Sequence, residues 1–349
     1  MTIHTFELNS ILTNDKYYKI QKTLKSKDKS KWKAERNGML YFGLREKGIL
    51  IYMFILKKKN YYSYRIIYRI SARRVLEKNN YVDLFDLQLY DELELEANRL
   101  LFEKSNSLPR LNECDLTRID FCYNAMLENQ HQVKAYIKTI KNGYIPPKHN
   151  EFLIYSETGK RFVPPKNDFT FFKDNYVEIS LYNKKAQMKQ DNYYPKSEID
   201  RASNIVRMEI RCSKKIIKEY CEKHNISSIR RFMGCCSKLG EELYNKYLLK
   251  MSGSGFIYTL KETCQRIDMS EFRKKDIKLM KEFVKDINRY GATEAFESYT
   301  KTYSKAILKR MVGLFEIIDT SFITVPVREA KLFEYNKLPS PLKLYNEVC

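Results

Sequence analysis

The sequence has few of the features that mark several function classes. Its eight Cys include no C-x-x-C pair, and its four His (His4, His131, His149 and His224) are isolated from one another. No zinc framework is expected, and the cysteines read as reduced, cytoplasmic thiols. The longest apolar run, 48–56, is too short to span a bilayer, so no membrane partner is expected. The N-terminal stretch MTIHTFELNS has neither a basic nor an apolar segment of signal-peptide type. Eleven Gly and nine Pro argue against a linker-rich or disordered chain. Neither Gly253-Ser254-Gly255 nor the 234–240 stretch is followed by Lys-Ser/Thr, which argues against an ATP-driven helicase or primase.

Acid is also scarce relative to base. Lys and Arg number 64 against 43 Asp and Glu, a formal net charge of +21. An AT-rich genome would enrich Lys, but it would raise Glu as well, so it does not explain the imbalance. The excess points to a polyanionic partner, with nucleic acid favoured over a membrane surface.

What is present alternates. In Val177-Glu178-Ile179-Ser180-Leu181-Tyr182, apolar and polar residues exchange at every step and then run into Lys184 and Lys185. Strict alternation predicts a half-buried strand with Glu178, Ser180 and Tyr182 on one face. Two further segments share this phase. Arg118 and Asp120 alternate with Ile119 and Phe121, and Arg207, Glu209 and Arg211 alternate with Val206, Met208 and Ile210. Other strands are predicted at 39–45, 49–56 and 64–71, with a hairpin at 151–162. After Ser213 the pattern becomes helical. The expected fold is α+β: residues 1–213 form a mostly antiparallel sheet with helices on one face, and 214–349 form a mainly helical region. Within that region, a helix, the Gly291 turn and a second helix read as helix-turn-helix-like, and Lys301, Lys305 and Lys309 fall at i, i+4 spacing on one expected DNA-binding face.

If the three phased strands are neighbours, Asp120, Glu178 and Glu209 converge with Arg118, Arg207, Arg211 and the Tyr182 phenol. Grouped carboxylates suit Mg2+ or Mn2+, and the arginines suit a phosphodiester. The plainer alternative is a set of cross-strand ion pairs on a wet face.

The segments LTRIDFCYN, VEISLYNKKAQM and NIVRMEIRC, in that order, resemble the rolling-circle replication initiators that include the gene II/X-type proteins of filamentous phages and related plasmid initiators. The resemblance covers roughly residues 48–312 and is densest in 62–85 and 115–215. It implies a nicking and closing endonuclease that joins a 5′ phosphate at a replication origin. Tyr182 falls at the nucleophile, Asp120 and Glu209 at metal-binding acids, and Glu178 and Lys184 are carried with them; from the residues themselves, Lys184 is expected to favour phenolate and Lys185 to contact DNA phosphate. The resemblance also implies double-stranded origin DNA, its exposed single strand, and a host helicase and polymerase as partners. The His-hydrophobic-His triplet of better-known rolling-circle nucleases is missing. The competing expectation is a sequence-specific DNA-binding protein without nicking activity.

Overall fold

A computed structural model describes residues 2–27, 32–34, 40–44, 47–57, 59–77, 80–144, 150–151, 154–155, 161–162, 168–173, 175–190 and 194–348. In chain order the elements begin β1 (Thr2–Leu12), α1 (Asn14–Lys27), β2 (Trp32–Ala34), β3 (Leu40–Leu44), β4 (Ile49–Lys57), β5 (Tyr62–Ser71), α2 (Ala72–Leu76) and α3 (Tyr90–Lys104). Then come β6 (Asp115–Met126), α4 (Gln130–Ile140), β7 (Asn150–Glu151), β8 (Ile154–Tyr155), β9 (Arg161–Phe162), β10 (Phe169–Lys173) and β11 (Val177–Asn183). They continue with α5 (Lys184–Lys189), α6 (Lys196–Arg201), β12 (Ile205–Ser213), α7 (Lys214–Lys223), α8 (Ile229–Met233) and α9 (Cys236–Ser252). The last are β13 (Phe256–Ile257), α10 (Leu260–Asp268), α11 (Lys274–Tyr290), α12 (Ala292–Thr302), α13 (Lys305–Ile317), α14 (Val327–Ala330), β14 (Leu338–Pro339) and α15 (Pro341–Val348). The protein is α+β, with antiparallel sheet first and a helical C-terminal region after Ser213.

Packing divides the chain into two compact units that interleave in sequence, whereas the change from strand to helix falls near 213. One unit takes Met1–Cys122 and Ile210–Gly240, the other Tyr123–Glu209 and Glu241–Cys349. A boundary read from composition follows consecutive residues.

In the first unit the strands run in the order β2-β3-β4-β5-β1-β6, each pair antiparallel. Ile49, Ile51 and Met53 of β4 and Ile66, Tyr68 and Ile70 of β5 are fully buried, while the residues between them are half-exposed. This is the two-faced alternation of an antiparallel sheet with one face on a core. β1 lies between β5 and β6 and is absent from the sequence expectation. Its signal was there, since Phe6 and Leu8 alternate with Glu7 and Asn9.

In the second unit β11 pairs with β10 and β10 with β7, both antiparallel. The expected 151–162 hairpin is present as the β8–β9 pair, Ile154 opposite Phe162, and its Thr158-Gly159 turn lies outside the described residues. Asn129 caps α4, its side chain accepting from the amides of His131 and Gln132 at 3.0 Å each. Such caps satisfy amides that have no partner inside the helix. Two short strands, β13 and β14, pair antiparallel in the helical region.

Gly291 alone joins α11 to α12, at φ 89° and ψ 157°. That region is essentially closed to residues with a Cβ. Among the described residues, chain neighbours aside, no atom lies within 4 Å of where a Cβ would stand, so a substitution there costs backbone energy only. Gly291→Ala is expected to destabilise the second unit by about 1–3 kcal/mol, read as a lower denaturant midpoint with unchanged slope. An unchanged midpoint would mean the turn relaxes without cost.

Candidate functional site

Tyr182 is on β11, in the second unit. Val177, Ile179 and Leu181 are buried as the alternation requires, while Glu178 and Ser180 are half-exposed. Tyr182 departs from the half-exposed pattern of its face, with 6% of its surface accessible. Its ring stacks on Phe169, the residue directly opposite on β10, with centroids 5.8 Å apart and planes 23° from parallel. The phenol hydroxyl donates to Glu209 Oε1 at 2.6 Å. Of the residues expected to converge, Tyr182 and Glu209 are in contact.

The backbone just past Tyr182 is held from several sides. Asn183 caps α5, accepting from the Ala186 amide at 3.2 Å. Its Nδ2 donates to Gln130 Oε1 and to Asp168 Oδ1, both at 2.8 Å, and its amide donates to the Asp168 carbonyl at 2.9 Å. With Asn183 buried and Gln130 and Asp168 half-exposed, these bonds fix the direction of the side chains next to them. Asn183, Asp168, Gln130 and Phe169 were not singled out in the sequence. The Asn before a helical run at 184–189 was the available signal for a cap.

The other second-unit residues have separate engagements. Glu178 pairs with Lys173, its cross-strand neighbour. Lys184 is buried, and its ammonium donates to Gln187 at 2.9 Å. Lys185 donates to Ser203 at 2.8 Å and lies 3.8 Å from Asp200. Arg207 is fully buried, and its Nε donates to Asn124 at 2.8 Å. Burial on both faces of β12 removes Arg207 from the open, DNA-facing side expected of it.

Arg118, Asp120 and Arg211 belong to the first unit and form a charge network there. Arg118 grips Asp120 with two bonds, Nε to Oδ1 at 2.8 Å and Nη2 to Oδ2 at 2.5 Å. Arg211 Nε adds a third at 3.1 Å. Glu7 receives Arg118 at 2.8 Å and Arg69 at 2.6 Å, so β1 and β5 extend the chain of charges. Asp120 is 1% exposed. Burial alone would push its carboxyl up, but Arg211 and Arg118 outweigh burial and hold it well below the usual carboxylate range. The alternative reading of cross-strand ion pairs describes this network, with Asp120 buried and its arginines and Glu7 partly exposed.

A hard divalent cation takes about six oxygen ligands. The set expected to supply them is Asp120, Glu209 and Glu178. Asp120 is saturated by two guanidiniums, Glu178 is held by Lys173, and Glu209 accepts the phenol.

In the C-terminal region Lys301, Lys305 and Lys309 are exposed. They do not share a helix face. Tyr303 turns extended at φ −120°, ending α12, and Ser304 caps α13, accepting from the Ile307 amide at 3.4 Å. Lys301 is on one helix, Lys305 and Lys309 on the next. The Ser that breaks the run is a strong cap residue, which i, i+4 counting passes over.

No family model and no curated protein matches the chain. Among the described residues no helix is long and apolar enough to cross a membrane.

Proposed function

We propose that the protein initiates rolling-circle DNA replication by nicking and resealing one strand at an origin, with Tyr182 as the nucleophile. The observation that carries this reading is the 2.6 Å hydrogen bond from the Tyr182 hydroxyl to Glu209. An ordinary phenol ionises near pH 10, so it needs a base to attack at neutral pH. A carboxylate already in hydrogen-bond contact meets the geometric requirement for general-base catalysis. As the Tyr182 oxygen bonds to phosphorus, its proton passes to Glu209. The bond from phosphorus to the 3′ oxygen breaks, and that oxygen takes the proton from Glu209. The products are a 5′-phosphotyrosine and a free 3′-OH, which a host polymerase would extend beside a host helicase. The reverse attack closes the strand. With Tyr182 so little exposed, the scissile strand has to be unpaired to reach it. The resemblance adds a Mg2+ or Mn2+ ion, but no step here depends on one, because the carboxylates assigned to it are engaged. Such an enzyme would work in the cytoplasm of a bacterial host.

Glu209→Gln keeps the size and an acceptor but cannot take a proton. Single-turnover adduct formation on a single-stranded origin oligonucleotide is expected to slow by about 10²–10⁴-fold. A rate within twofold of wild type would remove Glu209 from the mechanism.

The second reading, a DNA-binding initiator or regulator that does not nick, is favoured by one observation. Tyr182 and Arg207 are buried, as structural residues are. Under that reading wild-type protein binds origin DNA and forms no adduct.

A further inference from the structure

We infer that α11 is the surface that holds the phosphate backbone of duplex DNA, an inference that takes the nature of the polyanion from the proposed function. The helix is sharply two-sided. Met280, Phe283, Val284 and Ile287 are buried, and Phe283 packs on Phe296 and Tyr299 with ring centroids 4.9 Å apart in each case. On the opposite side Lys274, Lys278, Lys281, Lys285 and Arg289 recur at steps of three and four residues, which brings them onto one stripe. At 1.5 Å per residue the stripe is about 22 Å long. Lys274, Lys278, Lys285 and Arg289 are exposed and Lys281 is half-exposed. Lys274, Lys278, Lys281 and Lys285 also border a shallow groove of about 320 Å³.

The positive field continues past the start of the helix. Arg273 and Arg310 of α13 both bond the buried Asp276 carboxylate, at 3.1 Å and 2.5 Å. Two guanidiniums on one carboxylate leave a positive excess beside Lys274. The acids near the stripe include Asp268, which accepts from Lys281 at 2.7 Å, Glu282, 3.9 Å from Lys278, and Asp286, which accepts from the Tyr299 hydroxyl at 3.0 Å. They offset part of the charge, and the five basic residues of the stripe still outnumber them. α12, which would be the groove-reading helix of a helix-turn-helix, instead presents exposed Glu294 and Glu297. Its charge is wrong for a DNA groove, and that of α11 suits a phosphate track.

B-DNA carries one phosphate charge per about 1.7 Å of axis, so a stripe of this length meets several phosphates at once. Contacts of this kind position a duplex and carry no sequence information.

The test is binding of an arbitrary 20-base-pair duplex by full-length Lys274→Glu/Lys278→Glu/Lys285→Glu protein, with thermal unfolding to check the fold. The three residues are exposed, so folding is expected to survive; Lys→Gln at the same positions serves if it does not. Affinity is expected to fall by about 30-fold or more, and the slope of log K against log salt to flatten by about 3, near 0.9 per phosphate contact. Unchanged affinity and slope overturn the inference. So does a loss confined to Lys301→Glu/Lys305→Glu/Lys309→Glu, or wild-type protein that binds phosphatidylserine vesicles and no duplex. Wild-type protein is also incubated with single-stranded origin oligonucleotide. Absence of an adduct there defeats the nicking reading and leaves the α11 result standing.

Discussion

Tyr182→Phe is expected to yield no covalent protein–DNA adduct under conditions where wild-type protein yields one. The change removes one oxygen, and that oxygen is the proposed nucleophile. No rate is left for a direct phosphotyrosine route, so the loss is expected to exceed about 10⁴-fold, the upper range for a general base alone. The ring should keep its stack on Phe169, since that contact uses the face of the ring. Glu209 loses the donor at 2.6 Å. Losing one hydrogen bond to a charged group costs about 1.5–3 kcal/mol, so a lower melting temperature is expected alongside the chemical loss. A denaturing gel of oligonucleotide-linked protein reports the first effect and thermal unfolding the second. An adduct that persists in Tyr182→Phe, mapped to another tyrosine, defeats the assignment. A folded variant that binds DNA as wild type does and lacks only the adduct separates a catalytic role from a packing role.

Asp120→Asn carries the largest expected effect on stability. The amide keeps the shape of the carboxylate but withdraws the counter-charge from Arg118 and Arg211, which together make three bonds to Asp120. Breaking a fully buried pair is destabilising by about 3–5 kcal/mol; Asp120 is buried but Arg118 and Arg211 are 16% and 34% exposed, so a loss toward the lower end of that range is expected. The pH dependence has a definite sign. The Asp120 carboxyl is held below its ordinary value, so it binds a proton more weakly folded than unfolded. Its contribution is complete above the ordinary carboxylate pKa of about 3.9 and fades as pH falls through the lower folded value. The stability gap between wild type and Asp120→Asn is therefore expected to be flat from pH 5 to 8 and to narrow below about pH 4. Urea unfolding at pH 7 and near pH 3 measures both. A gap that widens on acidification, or one under 1 kcal/mol at pH 7, would show that Glu7 and water take over the guanidiniums.

The two sites differ in how far the residues announced them. The phase of 177–183 against 205–213 was readable because side-chain direction along a strand has a period of two residues. That period, with neighbouring strands, is enough to bring Tyr182 to Glu209. The buried stripe of α11 was equally readable from its 3.6-residue period. The break at Tyr303-Ser304 was not read, because a cap competes locally with a periodic pattern that counts only apolar and charged positions. β1 was passed over although it alternates, and with it went Glu7, the acid that links Arg69 to Arg118.

Alternation and charge along the chain sufficed for an α+β protein with a basic surface and for the pairing of a phenol with an acid. They could not tell which polar faces stay open. β12 carries polar residues at every second position, yet Arg207 is fully buried and bonded to Asn124, because both faces of that strand are covered. Nor could they tell which charges would neutralise one another. Asp120 is engaged by two arginines 2 and 91 residues distant in sequence, and the reach of a guanidinium across strands is a matter of register and space rather than of sequence period. Periodicity is a property of neighbouring residues. Burial and charge pairing depend on residues far apart in the chain.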